Sequence, residues 1–150
     1  MYVVSTQRLT LAGARKIVAA ATARAEEAGI AISVVVTDAG GHPLLLERMD
    51  GGRFHTAHSA AAKAVCAASS RRPTGAAGAQ GQPLDALHAI GLALAAGAQR
   101  WTALEGGCPV FIGGECIGGV GVSGGSFEVD ERIARAAVEA IGASWQPTPH

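Results

Sequence analysis

The sequence predicts one α+β domain over residues 1–150, in which helices pack against an antiparallel sheet. Three observations support this fold class. The β-rich runs come in two groups that each predict a hairpin, and they do not alternate one by one with helices as a parallel sheet requires. Hydrophobic residues make up 49% of the chain, which is enough for one core. Neither an internal repeat nor a domain linker interrupts the sequence.

The first half of the chain predicts a helix followed by a hairpin. Thr10 can cap a helix whose apolar residues recur at helical spacing, and Gly29 ends it. Residues 30–37 and 44–46 are β-rich, and they flank residues 38–43, which are rich in turn formers. The two runs therefore form the first predicted hairpin.

The second half combines alanine-rich segments with glycine-containing strands. Alanine favours helices, whereas valine, isoleucine and phenylalanine favour strands. Ser126 follows two glycines and can cap the last helix. The predicted elements are helices over 54–69 and 83–96, a weakly extended segment over 101–105, strands over 109–112 and 116–122, a helix after 126, and a frayed tail over 145–150.

The charge content predicts self-association and argues against one class of partner. Charged residues make up 16% of the chain, and the formal net charge is zero. A small domain with so few charges exposes apolar surface unless another copy covers it, so we expect a homo-oligomer. Nucleic acid is not an expected partner, because Arg71 and Arg72 form only a pair and no basic stripe is present.

The N-terminal residues, the short apolar runs and the cysteine spacing together predict a cytoplasmic protein. The first ten residues show no basic and apolar regions of a secretory signal, and no apolar run is long enough to suggest a membrane span. Cys66, Cys108 and Cys116 match no CxxC spacing. We expect buried reduced thiols, with no disulfide framework and no metal site.

An ordered set of short motifs extends from Leu9 to Ala143. Each piece is weak alone, but the order of the set is specific. The motifs are Leu9-Thr10-Leu11, residues 36–42, residues 47–51, Lys63-Ala64, Arg72-Pro73-Thr74, and residues 117–125 followed by Asp130. With this set the chain resembles the GlcG/HbpS family, also described as haem-degrading or PduO C-terminal-like.

The resemblance implies a profilin-like α+β fold, assembly into oligomers and, for some members, association with haem or another small molecule. It does not imply one activity, because the family is functionally mixed and a fold does not supply the chemistry. Three hypotheses stay open. The first is a small-ligand-binding domain for haem or a small organic acid, the second is a lyase, isomerase or hydratase acting on an organic acid, and the third is an accessory subunit.

The glycine-rich segment 119–124 matches the pattern GxGxxG. A dinucleotide site also needs a βαβ unit and an acidic residue at a strand end about 20 positions later, and the sequence predicts neither. We interpret the glycines as allowing close approach of a backbone or a ligand, or as tight packing alone. Backbone N–H groups near Gly124, Gly125 and Ser126, at a helix start, could hold a carboxylate.

His55, His58 and Lys63 are the candidate catalytic residues. The two histidines lie three apart, on one face of the predicted helix, and could carry protons or bind haem iron. Such a pair more often serves ordinary hydrogen bonding. Lys63 belongs to the Lys-Ala motif, and its plain alternative is a helix-surface lysine. We expect Lys63→Met to weaken carboxylate binding while leaving the melting temperature nearly unchanged.

Arg48 and Asp50 flank Met49 at a strand end and are candidate ligand-binding residues. The Arg48 guanidinium could clamp a carboxylate through two N–H groups, or it could form a salt bridge with a neighbouring acid. His42 lies in the first hairpin turn, where turn structure is a sufficient explanation for it.

Overall fold

The computed structural model describes residues 1–147, which form four helices and four strands within that range. Most of these elements begin and end within a few residues of the predicted bounds. The helices are α1 (Leu11–Glu27), α2 (Phe54–Ser70), α3 (Ala86–Ala96) and α4 (Phe127–Glu139). The strands are β1 (Ser33–Asp38), β2 (Pro43–Arg48), β3 (Gly107–Ile112) and β4 (Glu115–Ser123).

The four strands form one sheet in the order β2-β1-β4-β3, and every neighbouring pair is antiparallel. Both predicted hairpins are confirmed, β1 with β2 and β3 with β4. The long-range pairing of β1 with β4 joins them, with Val35 opposite Gly121. This arrangement confirms the α+β class and is consistent with a profilin-like fold.

Helices cover both faces of the sheet, as the side chains of β1 show. Side chains of successive residues in a strand point to opposite faces. Val34 and Val36 belong to the main apolar core together with buried residues of α1 and α4. Val35 lies on the other face, packed with Ala60 and Ala64 of α2. Helix α2 therefore covers one face alone, while α1 and α4 cover the opposite one.

Glycines in β4 set the distance between α2 and the sheet. A Cβ atom at Gly119 would collide with the carbonyl oxygen of Ala64, and one at Gly121 would collide with that of Ala60. The absence of side chains lets the helix backbone lie directly on the strand. Close approach of a backbone was one interpretation of the glycine-rich segment 119–124, and the structure shows it at Gly119 and Gly121.

One local expectation needs correction, and two observations complete the description of the fold. Helix α3 begins at Ala86 and not at Pro83, because the Asp85 side chain accepts the backbone N–H of His88 and caps the helix there. Residues 101–105 form no strand. None of the helices within residues 1–147 is long and apolar enough to cross a membrane.

The predicted frayed tail over 145–150 is wrong at its first residue. The indole N–H of Trp145 donates to Glu139 at 3.0 Å, and the Arg135 guanidinium lies 4.1 Å from the centre of the indole ring. Just before it, Ser144 pairs with Phe111 at the outer edge of β3. Residues 148–150 lie outside the described part of the chain.

Candidate functional site

A cavity of about 560 Å³ lies where the first turns of α2 meet the end of β4 and the start of α4. We call it the Lys63 pocket. Its lining is mixed, with charged and hydroxyl side chains beside glycines and a few apolar groups. It is formed by Arg53, His55, Thr56, Ser59, Lys63, Ser123 and Asp130, by Gly51, Gly124 and Gly125, and by Ile30, Ala31, Leu104 and Phe127.

Helix α2 places three of these side chains in one line. His55, Ser59 and Lys63 are spaced by four residues, which puts them on one face of the helix. His55 in the first turn is exposed, Ser59 is half-buried, and Lys63 is only 1% exposed. The line therefore runs from the open mouth of the cavity to its floor.

Lys63 forms a buried ion pair at that floor. Its Nζ donates to the carbonyl oxygen of Val122 at 2.8 Å and to Oδ2 of Asp130 at 3.3 Å. Both side chains of the pair are almost fully buried. Burial lowers the pKa of Lys63 below its ordinary value, and the Asp130 carboxylate offsets part of that lowering.

Asp130 also fixes the turn between β4 and α4. Its Oδ1 accepts the backbone N–H of Gly125 at 2.8 Å, so one carboxylate ties Lys63 to the turn. Gly124 has a positive φ of 144°, and a Cβ atom there would press on the backbone of Ala31 and Ile32. Glycine is therefore required at this position by both conformation and space.

Two hydroxyl pairs connect α2 with the sheet beside the cavity. Ser59 Oγ and Ser123 Oγ are 2.8 Å apart, and Ser33 Oγ and Thr56 Oγ1 are 2.9 Å apart. A hydroxyl can donate one hydrogen bond and accept others. The wall of the Lys63 pocket thus offers neutral polar atoms next to a buried cation, which suits a ligand that carries oxygen atoms.

Comparisons with known proteins agree with this fold. The model of the family described as haem-degrading protein HbpS-like matches residues 9–139. The chain belongs to this family. GlcG of Escherichia coli K12 is 36% identical to it over 110 residues, which are 73% of this chain and 77% of GlcG.

Solved structures of relatives share the whole fold. ORFY of Klebsiella pneumoniae has a TM-score of 0.83 and 34% identity, and the match covers 95% of this chain and 96% of ORFY. The structure of a PduOC–haem complex has a TM-score of 0.80 and 28% identity, covering 93% of this chain and 99% of that one.

In this HbpS-like chain, part of the site predicted from sequence is brought together and part is not. Ser126 lies beside the Lys63 pocket, where its hydroxyl caps α4 by accepting the N–H of Val129. His58 is exposed on α2 and does not line the cavity. The predicted residues that do line it are His55, Lys63, Gly124 and Gly125.

Arg48 and Asp50 lie elsewhere. They line a separate cavity of about 480 Å³ with Thr22 and Glu26 of α1. The structure therefore does not place the Arg48 guanidinium in the cavity of Lys63. His42 stays in its hairpin turn, 80% exposed, with Nδ1 at 3.3 Å from Asp38 Oδ1.

The alternative of Lys63 as a surface lysine is wrong, because the side chain is buried and paired. Removing one partner of a buried ion pair leaves the other charge uncompensated, which typically costs about 3–5 kcal/mol. The expectation that Lys63→Met leaves the melting temperature unchanged therefore no longer holds. Exposed residues at the mouth are the better positions at which to test binding.

Four polar residues of the lining were not among the site residues predicted from the sequence. Ser59 had a usable signal, since it lies four residues from both His55 and Lys63 on one helix face. Asp130 had none beyond its place in the family motif, because it is 67 residues from its partner Lys63. The missed residues are Arg53, Ser59, Ser123 and Asp130.

The cysteines lie outside the pocket as free thiols. Cys66 and Cys108 are buried, and Cys116 is half-buried. Burial raises the pKa of all three thiols, that of Cys108 to about 12, so they stay protonated at neutral pH and are poor nucleophiles. Across residues 1–147, no group of three or more His, Cys, Asp or Glu side chains could hold a metal ion.

Proposed function

We propose that this chain is a small-ligand-binding domain and that the Lys63 pocket holds the acidic group of its ligand. The observation that carries the proposal is the charge of the lining, which contains two cationic side chains, Arg53 and Lys63, and the imidazole of His55, but only one carboxylate, that of Asp130. Lys63 already balances Asp130 at the floor. Arg53 forms no ion pair within residues 1–147, so its guanidinium is available to a carboxylate at the mouth.

Lactate is a suitable probe, and two arginines give a matched test. Arg53 lines the Lys63 pocket, whereas Arg48 lines the separate cavity near α1, and both side chains are exposed. We expect Arg53→Gln to weaken lactate binding about tenfold, because a charged hydrogen bond typically contributes about 1.5–3 kcal/mol. Arg48→Gln should bind lactate as the wild type does. Isothermal titration calorimetry measures both.

Unchanged binding in Arg53→Gln would contradict this site. A loss of lactate binding in Arg48→Gln alone would assign the acid to the cavity of Arg48 and Asp50, the residues that the sequence pattern favoured. Thermal melts of both variants provide the control for folding, since neither change removes a buried group.

Haem is the ligand class that the relatives support, and the mouth of the pocket has groups that fit it. PduOC has been solved with haem bound. Haem needs an imidazole or similar ligand for its iron, apolar contacts for its ring and cations for its carboxylates. Here His55 supplies the imidazole, Phe54 lies edge-on to it at 6.1 Å, Phe127 is 52% exposed, and Arg53 supplies the cation.

The two histidines of α2 separate this haem proposal from accidental ligation. We expect His55→Ala to abolish the Soret shift on haem titration, because His55 lines the cavity. His58→Ala, an equally exposed change three residues away, should leave the shift intact. Absorption spectroscopy measures both. A normal Soret shift in His55→Ala would overturn ligation at this mouth and point to another residue such as His42 or His88.

We also propose that the chain acts as a homo-oligomer through α3. This helix buries none of its 11 residues, and Leu87, Ile90 and Leu94 are 77%, 58% and 80% exposed. The three lie at spacings of three and four, on one stripe. The stripe has no Asp, Glu, Lys or Arg, and the chain has zero formal net charge, so a second copy meets no charge repulsion there.

The alternative of a lyase, isomerase or hydratase stays a prediction.

A further inference from the structure

We propose that Lys63 bonds covalently to the carbonyl carbon of a small 2-oxo acid, forming an imine at the floor of the Lys63 pocket. The inference rests on the proposed function, because it uses the same cavity and the same acidic ligand class. It adds a reaction that simple binding of an acid does not require. Its basis is the placement of a primary amine, a proton acceptor and paired hydroxyls around one open volume.

The amine is available to a ligand despite its burial. An ammonium group has three N–H donors. Two of those of Lys63 are used, by the Val122 carbonyl and by Asp130. Lys63 belongs to the lining of a cavity of about 560 Å³, which is ample for a three-carbon acid. One donor position of Lys63 is thus left for a ligand, and the proposal places the carbonyl group of the 2-oxo acid there.

Asp130 can move the protons that imine formation requires, since its Oδ2 lies 3.3 Å from Nζ. The carboxylate first takes a proton from the Lys63 ammonium, and the freed electron pair on nitrogen attacks the carbonyl carbon. The C–N bond forms while the C=O π electrons move to oxygen, which takes the proton back from Asp130. Asp130 then removes a second proton from nitrogen and delivers it to the new hydroxyl.

Loss of water completes the balance. The C–O bond breaks as the nitrogen electron pair forms the C=N bond, and the product is a protonated imine. The sum is one ammonium plus one carbonyl giving one protonated imine plus one water, with Asp130 regenerated as a carboxylate. No oxidant or further reactant takes part. Burial lowers the pKa of Lys63, so a larger fraction of this side chain is the neutral amine with which imine formation begins.

The rest of the lining selects for a 2-oxo acid over a simple aldehyde. At the mouth of the cavity, Arg53 offers a guanidinium to the carboxylate of an entering acid, as in the proposed function. The Ser59 and Ser123 hydroxyls, 2.8 Å apart, offer hydrogen bonds to the oxygen that becomes the leaving water. Ser59 lies one turn of α2 from Lys63, so a carboxylate adjacent to the carbonyl finds a hydroxyl partner next to the amine.

The sequence contains an internal control, because it has two lysines and the other one is Lys16. Lys16 is exposed on α1, away from the pocket. The whole protein is incubated with pyruvate and sodium cyanoborohydride, which reduces an imine to a stable amine. Peptide mass spectrometry then measures carboxyethyl groups on each lysine. We expect at least tenfold more modification at Lys63 than at Lys16, and none at position 63 in Lys63→Arg.

Equal modification of the two lysines, or modification of Lys16 alone, would overturn the inference. This readout comes from the wild type, so it does not depend on how well Lys63→Arg folds. Lactate matches pyruvate in size but has no carbonyl, and it separates the two proposals. Lactate binding that depends on Arg53, without an adduct from pyruvate, leaves the proposed function standing and rejects the covalent step. An adduct at Lys63 without any lactate binding rejects the acid anchor instead.

Discussion

Helices α2 and α3 resemble each other in composition and differ completely in burial. Both are alanine-rich, yet α2 buries eight of its 17 residues and α3 buries none of its 11. The difference lies in the surface that each one meets. Helix α2 rests on a strand whose Gly119 and Gly121 leave room for a helix backbone, whereas within residues 1–147 no strand supports α3 in this way. An alanine-rich helix thus joins a core only where its neighbour is equally small.

The largest effect in this comparison should come from filling the space beneath α2. In Gly121→Ala the new Cβ atom would collide with the Ala60 carbonyl oxygen, which is backbone and cannot rotate away. We expect a loss of about 3 kcal/mol in the free energy of unfolding, at the upper end of overpacking effects. Urea unfolding measures it. Because α2 carries His55, Ser59 and Lys63, the same variant should also distort the pocket.

Gly91 in the middle of α3 is the matched control. An added Cβ atom there meets nothing within 4 Å, and its φ is not positive. In protein dilute enough for α3 not to be covered by a second copy, Gly91→Ala should therefore increase the free energy of unfolding by about 0.5–1 kcal/mol, as expected for removing glycine from an exposed helix interior. Opposite signs at the two glycines would support the comparison. A loss of stability at Gly91 comparable to that at Gly121 would show that α3 is packed as tightly as α2.

The contrast also explains how much could be predicted from the sequence. Helix ends were predictable because their signals are local, as with Thr10 capping α1 and Ser126 capping α4. The burial of Lys63 was not predictable, since the alanines around it are compatible with an exposed helix as well as a buried one. Only the pairing of β4 with β1 and the packing of α2 upon it bring Asp130 to Lys63.

The site shows the same division. The sequence grouped His55, His58 and Lys63 because they share one helix, and the structure places His55 and Lys63 but not His58 in the lining. Arg48 was assigned to the same ligand because it ends a strand in a family motif, and nothing local showed that it faces α1 and a different cavity. Gly124 and Gly125, predicted as ligand-binding from their position before a helix start, line the Lys63 pocket. Sequence patterns thus assigned Arg48 to the wrong cavity and did not reveal the pairing of Lys63 with Asp130, both of which depend on how separate elements pack.

The smallest effect on unfolding should follow changes to the exposed stripe of α3, where the oligomer is expected to respond instead. We expect the double change Leu87→Gln and Leu94→Gln to lower the solution mass from that of an oligomer toward the 15.0 kDa of one chain. The unfolding midpoint of the dilute protein should barely move, because neither leucine is buried within the chain. Light scattering and urea unfolding measure the two quantities. Leu46→Gln, on β2 and 49% exposed, is the control and should keep the oligomer. A wild-type chain of 15.0 kDa at every concentration would refute the self-association of α3, and a large drop in the midpoint would mean that α3 is held by its own chain.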